Sequence, residues 1–423
     1  MKVLVIGSGG REHAIVWKLS QSKRAKKIYS APGNPGTASL AENLSVQADD
    51  LQGILKAARE KKIDLVVVGS ELPLTLGIQD LFAKEGIPLF GPSKAAAGLE
   101  GSKAFAKQLL CEAKVPTAHF EVFSDFDRAV DFLQTQSYPV VVKADGLAAG
   151  KGVLICKDRA ETVQGLTRIM KGGLFGEAGR QVVIEEFLRG EEASFHALVD
   201  GESILPLASS QDHKRVRDHD EGPNTGGMGA ISPTPLISKE MESQVLQEIL
   251  IPTLRALRQR GIDYRGVLYA GLMLTASGPK SLEYNVRFGD PETQPILVRL
   301  EEDLLDLIEK TITGRLKGEA LHWRPESSVC VVMAAHGYPG RVRTGDEISG
   351  LDRAEKMPKT VVFHSGTRQE GGKFLTSGGR VLGVTSCGKD LREARERAYD
   401  ACEKIYWKGV HYRRDIGLKG DAP

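Results

Sequence analysis

The apolar positions open the chain as a short unbroken run. Val3, Leu4, Val5 and Ile6 predict a buried strand over Lys2–Ile6. Gly7-Ser8-Gly9-Gly10 breaks it as a turn, and Arg11–Ser20 then places Ala14, Ile15 and Leu19 at helical spacing. The alternation continues, with strands expected at Lys27–Ala31, Ile63–Gly69 and Pro88–Gly91 and helices at Asp50–Lys61 and Ile78–Glu85. Such alternation predicts βαβ units on a doubly wound parallel sheet. This unit ends near residue 100, before a helix over Gly101–Ala113.

The middle of the chain reads differently. Strands are expected at Tyr138–Ala144 and Val153–Cys156, joined by the loop Asp145–Gly152. Gln181–Leu188 and Ala193–Asp200 read as two more, separated by Arg189-Gly190-Glu191-Glu192. Residues 209–234 are polar and rich in glycine and proline, too long for a simple turn, and loops of that size usually carry function. A helix over 238–260 and strands over 266–274 and 280–287 follow. A last part, from about 327, opens with a strand, Ser328–Ala334, and closes with a helix, Asp390–Ile405. The fold class expected is α/β, in three domains. These are 1–100, 101–326 (a small lid subdomain at about 118–192 and a larger one at 193–326) and a small α+β unit at 327–423.

Composition narrows the function classes. The 57 basic and 55 acidic residues leave a net charge of +2, which gives no sign of a nucleic-acid or membrane surface. Five scattered cysteines, none in a CxxC pair, argue against a disulfide framework or a zinc ribbon and fit a reducing compartment. The run Val3–Ile6 is too short for a signal-peptide core, and no stretch approaches ~18 apolar residues, so the cytoplasm is expected.

Several segments carry chemistry. Gly7–Gly10 at a helix start suits a phosphate, or is a plain turn. A bound NAD is not expected, because Glu12 stands at the third glycine of the dinucleotide fingerprint and the second strand ends without an acid. Ala31-Pro32-Gly33-Asn34-Pro35-Gly36 follows a strand's carboxyl end, where open α/β sheets bind ligands, though such loops are also ordinary turns. Asp145–Gly152 offers Gly146, Gly150 and Gly152 with Lys151, so backbone amides can close over phosphates; the alternative is a mobile hairpin. Lys143, in an otherwise apolar strand, needs an anion or an exit to water. Glu283, Asn285 and Arg287 share a strand face, the first two ~6.6 Å apart. Two such oxygens can grip Mg²⁺ on ATP phosphates, and Arg287 can clamp an anion; the alternative is a solvent-facing edge. Asp212, Lys214, Asn224, Thr225 and Gly226 lie in the long polar loop, where Asn, Thr and bare backbone suit a polyhydroxylated, phosphorylated ligand unless the loop is disordered. No serine or cysteine triad is legible, and none is needed if a substrate carboxylate is the nucleophile.

These segments taken together resemble the glycinamide ribonucleotide synthetases, ATP-grasp enzymes of purine synthesis. The resemblance runs through VLVIGSGGREHA, APGNPG, the Gly91-Pro92-Ser93 to Lys107 segment, KADGLAAGKGV, VVIEEFLRGEEASF, QDHKR, GPNTGGMGA, LEYNVRFGDPETQ and the tail GGRVLGV…YRRDIG. It implies central ATP-grasp domains. It implies that Lys103, Lys143, Lys151 and Lys214 surround the ATP phosphates, that the backbone at Glu185 and Leu188 reads adenine, and that Glu192 takes the ribose hydroxyls. Glu283 and Asn285 would hold Mg²⁺ or Mn²⁺. Gly9, Gly10, Asn34, Asp212, Thr225 and Arg287 would face phosphoribosylamine and glycine, with Asp212, Lys214 and Arg287 acting in catalysis. A monomer with small-molecule substrates is expected. Ser70 and Ser365 depart from the family's usual Pro and Ala. The strand before Glu283 reads Ala270-Gly271-Leu272-Met273, without the acid many ATP-grasp enzymes carry there, which puts a second protein-held metal in doubt. Other ATP-grasp ligases, a nucleotide-binding regulator and an NAD oxidoreductase are the competing readings.

Overall fold

A computed structural model describes residues 1–148, 152–173 and 176–418. Five strands form the first sheet: β1 (Lys2–Gly7), β2 (Lys27–Pro32), β3 (Glu42–Asn43), β4 (Leu65–Val68) and β5 (Leu89–Phe90). They pair in parallel in the order β3-β2-β1-β4-β5. β1 and β4 are buried along almost their whole length, as a sheet covered on both faces requires. Helix α1 (Gly10–Leu19) follows β1 directly.

A second sheet carries four antiparallel strands, β6 (Phe120–Phe123), β7 (Val140–Ala144), β8 (Val153–Cys156) and β9 (Val182–Glu186), in the order β6-β9-β7-β8. It has its own small core, including Val140, Val142, Ile169 and Ile184. A third sheet sets β10 (Glu191–Asp200) against Arg265–Thr275, which pairs in turn with Gly278–Asn285. Its core runs on into that of the first sheet, through Leu4, Ile6, Phe195, Leu268 and Tyr284.

The C-terminal part packs the long helix Leu391–Cys402 onto an antiparallel sheet. That sheet contains Ser327–Ala334, Arg380–Gly388 and Thr360–His364, and also takes in Gln211–Asp212 and Gly229–Ser232 from the long polar segment. The expected helix over 238–260 forms, with one wide π turn at Leu246–Leu250. The expected strand over 280–287 stops at Asn285, so Arg287 lies just beyond it.

Candidate active site

The second and third sheets face each other across a cleft of about 430 Å³. Its wall gathers Lys103, Lys143, Gly146, Gly152, Glu185, Leu188 and Glu192 with Asp212, Lys214, Asn224, Thr225, Gly226, Glu283, Asn285 and Arg287. Lys103 and Glu283, 180 positions apart, thus meet, because the helix that starts at Lys103 and the strand Gly278–Asn285 converge there. Gly150 and Lys151 lie outside the described residues.

Charge organises the wall. Lys103 Nζ lies 3.0 Å from Glu283 and Lys214 Nζ 4.0 Å from it, while Lys214 also pairs with Glu192 at 2.9 Å. Lys103 holds the Glu283 carboxyl far below the usual carboxylate range, against its burial. Burial opposes the Lys214 charge, yet Glu192 and Glu283 keep it well above the usual lysine range. Behind them, Lys143 and Lys107 grip Glu185 at 2.9 and 3.2 Å. Burial lowers Lys107 to about 8 even with Glu185 beside it.

Glu283 and Asn285 face the cleft as hard oxygen donors, the set that suits Mg²⁺ or Mn²⁺ shared with phosphate oxygens. Gly271 stands opposite Glu283, so the neighbouring strand adds no carboxylate. Among the described residues no group of three or more His, Cys, Asp or Glu side chains gathers as a metal cage. Phosphate oxygens and waters are the further ligands such an ion ordinarily takes.

The wall residues Glu71, Glu100, Asp290, Glu292 and Arg380 stand outside those singled out from the sequence. Arg287 meets Glu100 at 2.7 Å and Glu71 at 3.3 Å, and Glu71 is shared with Arg11 at 3.8 Å. Burial works against the Glu71 charge, but the Arg287 and Arg11 guanidiniums outweigh it and bring the carboxyl to about 2. Glu292 accepts from Tyr269 at 2.5 Å and from Ser194 at 3.1 Å. Asp212 Oδ1 is sealed from solvent without a hydrogen-bond partner, and burial together with Glu292 raises that carboxyl well above its usual range. Gly227, at φ +106°, permits this approach, since a Cβ there would meet Asp212 Oδ1 at 2.6 Å. Arg380 reaches in from the C-terminal sheet to Asp290 at 3.0 Å and to the Gly226 carbonyl. Their signal would have been an acid or arginine in a segment already suspected: Glu71 beside Ser70, Asp290 and Glu292 in RFGDPETQ, Arg380 in GGRVLGV.

The early glycine turns are braced from within. The anion position at the start of α1 is filled from within, because Gly9 N–H donates to Glu12 Oε2 at 2.6 Å. Gly7 gives room for that carboxylate, since a Cβ there would meet Glu12 Cγ at 2.5 Å. Gly9 and Gly10 lie against Asp290 of the cleft wall, which a Cβ at Gly9 would meet at 3.4 Å. The Asn34 side chain is consumed internally. It donates to the Ser8 and His364 carbonyls at 2.8 Å and accepts from Gly36 and Thr37. These residues tie the first sheet to the C-terminal part.

A four-stranded lid over a second sheet, with lysines and an oxygen pair at the seam, defines the ATP-grasp architecture. The biotin carboxylase domain of Hydrogenobacter thermophilus 2-oxoglutarate carboxylase shares the fold, at a TM-score of 0.75 over 97% of this chain and 91% of that one, with 17% identity. The chain belongs to the phosphoribosylglycinamide synthetase family, whose N domain, ATP-grasp (A) domain and C domain match residues 1–100, 101–293 and 328–419. It is 49% identical to a phosphoribosylamine–glycine ligase of Vibrio vulnificus over 100% of this chain and 99% of that protein. It is 50% identical to another from Caldanaerobacter subterraneus, over 98% and 99% respectively. The crystal structure of the Thermotoga maritima phosphoribosylamine–glycine ligase superposes with a TM-score of 0.85 at 36% identity, covering 98% of this chain and all of that one.

Proposed function

We infer that this chain is a carbon–nitrogen ligase that joins glycine to 5-phosphoribosylamine, converting ATP to ADP and phosphate and yielding glycinamide ribonucleotide for purine synthesis. The observation that carries the reading is the meeting of Lys103, Lys143 and Lys214 with Glu283 and Asn285 in one cleft. In the first step the glycine carboxylate attacks the γ-phosphorus, forming glycyl phosphate and releasing ADP. In the second, the amine of phosphoribosylamine attacks the glycyl carbonyl, and the C–O bond to phosphate breaks. A divalent ion on Glu283 and Asn285, Mg²⁺ or Mn²⁺, supplies charge neutralisation at the phosphates.

The chain's own groups divide the remaining work. Lys103, Lys143, Lys151 and Lys214 neutralise the phosphates. Gly146, Gly150 and Gly152 give them bare backbone. Glu185 and Leu188 present backbone to adenine, and Glu192 faces the ribose. Asp212 and Glu292 form an acidic pair for which Lys214 and Arg380 are nearby cations but no hydrogen-bond donor reaches Asp212 Oδ1, and the glycine ammonium is the substrate group that can supply one. Arg287 lies beyond the metal face, near the reacting carboxylate. Asn224, Thr225 and Gly226 face the sugar, and Gly9, Gly10, Gly33 and Asn34 serve phosphoribosylamine from the side of the first sheet. Glycyl phosphate hydrolyses in water, so the lid must close before it forms. The proposed units are 1–100, 101–326 and 327–423. One chain lines the whole cleft, so a monomer suffices, and its substrates place it in the cytoplasm.

ADP release tests the reading, measured with glycine and freshly made phosphoribosylamine together and separately. Full turnover requires both, and ribosylamine without its phosphate is nearly inert. Equal turnover with the dephosphorylated amine overturns the substrate assignment while leaving the ATP-grasp chemistry standing.

A further inference from the structure

Lys214 and Thr225 stand at the base of a small hairpin, Arg215–Arg217 against Glu221–Asn224. Thr225 donates both its N–H and its Oγ–H to the Lys214 carbonyl, each at 2.8 Å. The two cleft residues therefore move with the hairpin. It is short, with a register shift between its two paired positions, and a lone two-stranded ribbon is marginal in water. Its tip is also strained: His219 and Asp220 take φ of +59° and +55°. Such a conformation in non-glycine residues persists only where the surroundings impose it.

The surroundings here are the tail segment RRD, Arg413-Arg414-Asp415. The Arg413 side chain is fully buried and forks onto Asp415 through Nε and Nη2, both at 2.7 Å. Its Nη1 donates to Asp220 Oδ1 at 2.8 Å and to the Arg215 carbonyl at 3.1 Å. Asp415 accepts from the His219 N–H and Asp218 from the Arg414 N–H, each at 2.8 Å. Ile416, fully buried, anchors the tail in the C-terminal core. None of the three tail residues lines the cleft.

We propose that Arg413 is a positioning residue for the ligase reaction: by clasping Asp220 and Arg215 it fixes the hairpin that sets Lys214 and Thr225 in the cleft. This rests on the reading that Lys214 serves the ATP phosphates. Lysine cannot replace Arg413, because it offers a point charge where four acceptors are arranged around a planar fork.

A double-mutant cycle on the full chain tests it, with kcat for ADP release as readout and Tm as the check on folding. Arg413→Lys should lower kcat about ten- to a hundredfold, the scale of a misplaced group. In a Lys214→Ala background the same change should cost less than about twofold, since residues acting as one unit are not additive. Equal factors with and without Lys214 overturn the clasp, as does full activity of Arg413→Lys. Wild-type activity of Lys214→Ala instead overturns the phosphate-site reading, and the clasp with it. Should Arg413→Lys fail to fold, Asp220→Asn replaces it in the same cycle with the same expected pattern.

Discussion

Glu283 sits where Lys103 and Lys214 converge, and their charges hold it ionised. Glu283→Ala should therefore lower kcat at least about a hundredfold, the scale on which charge-stabilising groups act. The Tm should stay close to wild type, because the side chain faces a cleft and adds little to the core. Near wild-type turnover would remove it from the metal site. Asp212 calls for a different assay. Asp212→Asn should raise KM for glycine about ten- to a hundredfold, the loss of one charge-assisted contact, and leave KM for ATP unchanged. An ATP effect of the same size would place Asp212 with the nucleotide. At this scale the sequence was legible where a residue type is costly on its own: Lys143 in an apolar strand, Glu283 and Asn285 alternating on one face. Glu71, Glu100 and Glu292 gain meaning only from Arg287, Tyr269 and Asp212, which reach them through the fold.

The helix Lys103–Glu112 shows how an element delivers charge. Ser102 caps it by accepting from the Phe105 N–H at 3.0 Å, and Asp145 accepts from the Ala104 N–H at 3.0 Å and from Ser102 Oγ at 2.9 Å. The lid loop is thereby pinned to the helix that presents Lys103 and Lys107. Asp145→Ala should cost about 1 kcal/mol of stability, as lost caps do, and raise KM for ATP. An unchanged KM would separate the loop from the nucleotide. Asp145–Gly152 should also be cut by protease without nucleotide and protected with Mg-ATP; equal cleavage rates would remove it as a lid. The elements that period-two and helical patterns named lie within a few residues of those observed, but the patterns leave stretches such as 118–137 and 157–180 unread. They did not resolve the polar stretch 209–234, whose short strands join sheets built from distant segments. They also missed that Glu12 fills the α1 start by accepting from the Gly9 N–H, at a turn read from sequence as either a phosphate site or a plain turn.

Across the whole molecule, four buried histidines lie at the seams between its parts. His13 Nδ1 accepts from the His364 N–H at 2.9 Å, joining α1 to the C-terminal sheet. His196 stacks on Tyr269 beneath the cleft, with ring centroids 4.1 Å apart, and His213 packs beside the Arg413 clasp. Burial lowers all four: His13 to about 3, with His364 adding to the effect, and His196, His213 and His364 to about 4. In the unfolded chain each ring titrates near 6.5. Below that pH the unfolded state takes up protons that the folded state refuses, so stability falls as pH drops from about 6.5 towards 4 and does not change through these groups above it. Each histidine contributes at most about 1.4 kcal/mol per pH unit across that window. The paired carboxylates act lower down. Glu71 and Asp415, both brought to about 2 by guanidiniums that outweigh their burial, contribute stability above about pH 4 that is lost as pH falls towards 2. Calorimetry from pH 8 to 4.5 should show a level Tm down to about 7 and a steep fall below 6.5, before Glu71 and Asp415 titrate. His364→Gln keeps a hydrogen-bonding side chain without the titration and should make the fall shallower. A Tm constant from pH 7 to 5 would mean that these rings accept protons in place, and that acid does not open the seams.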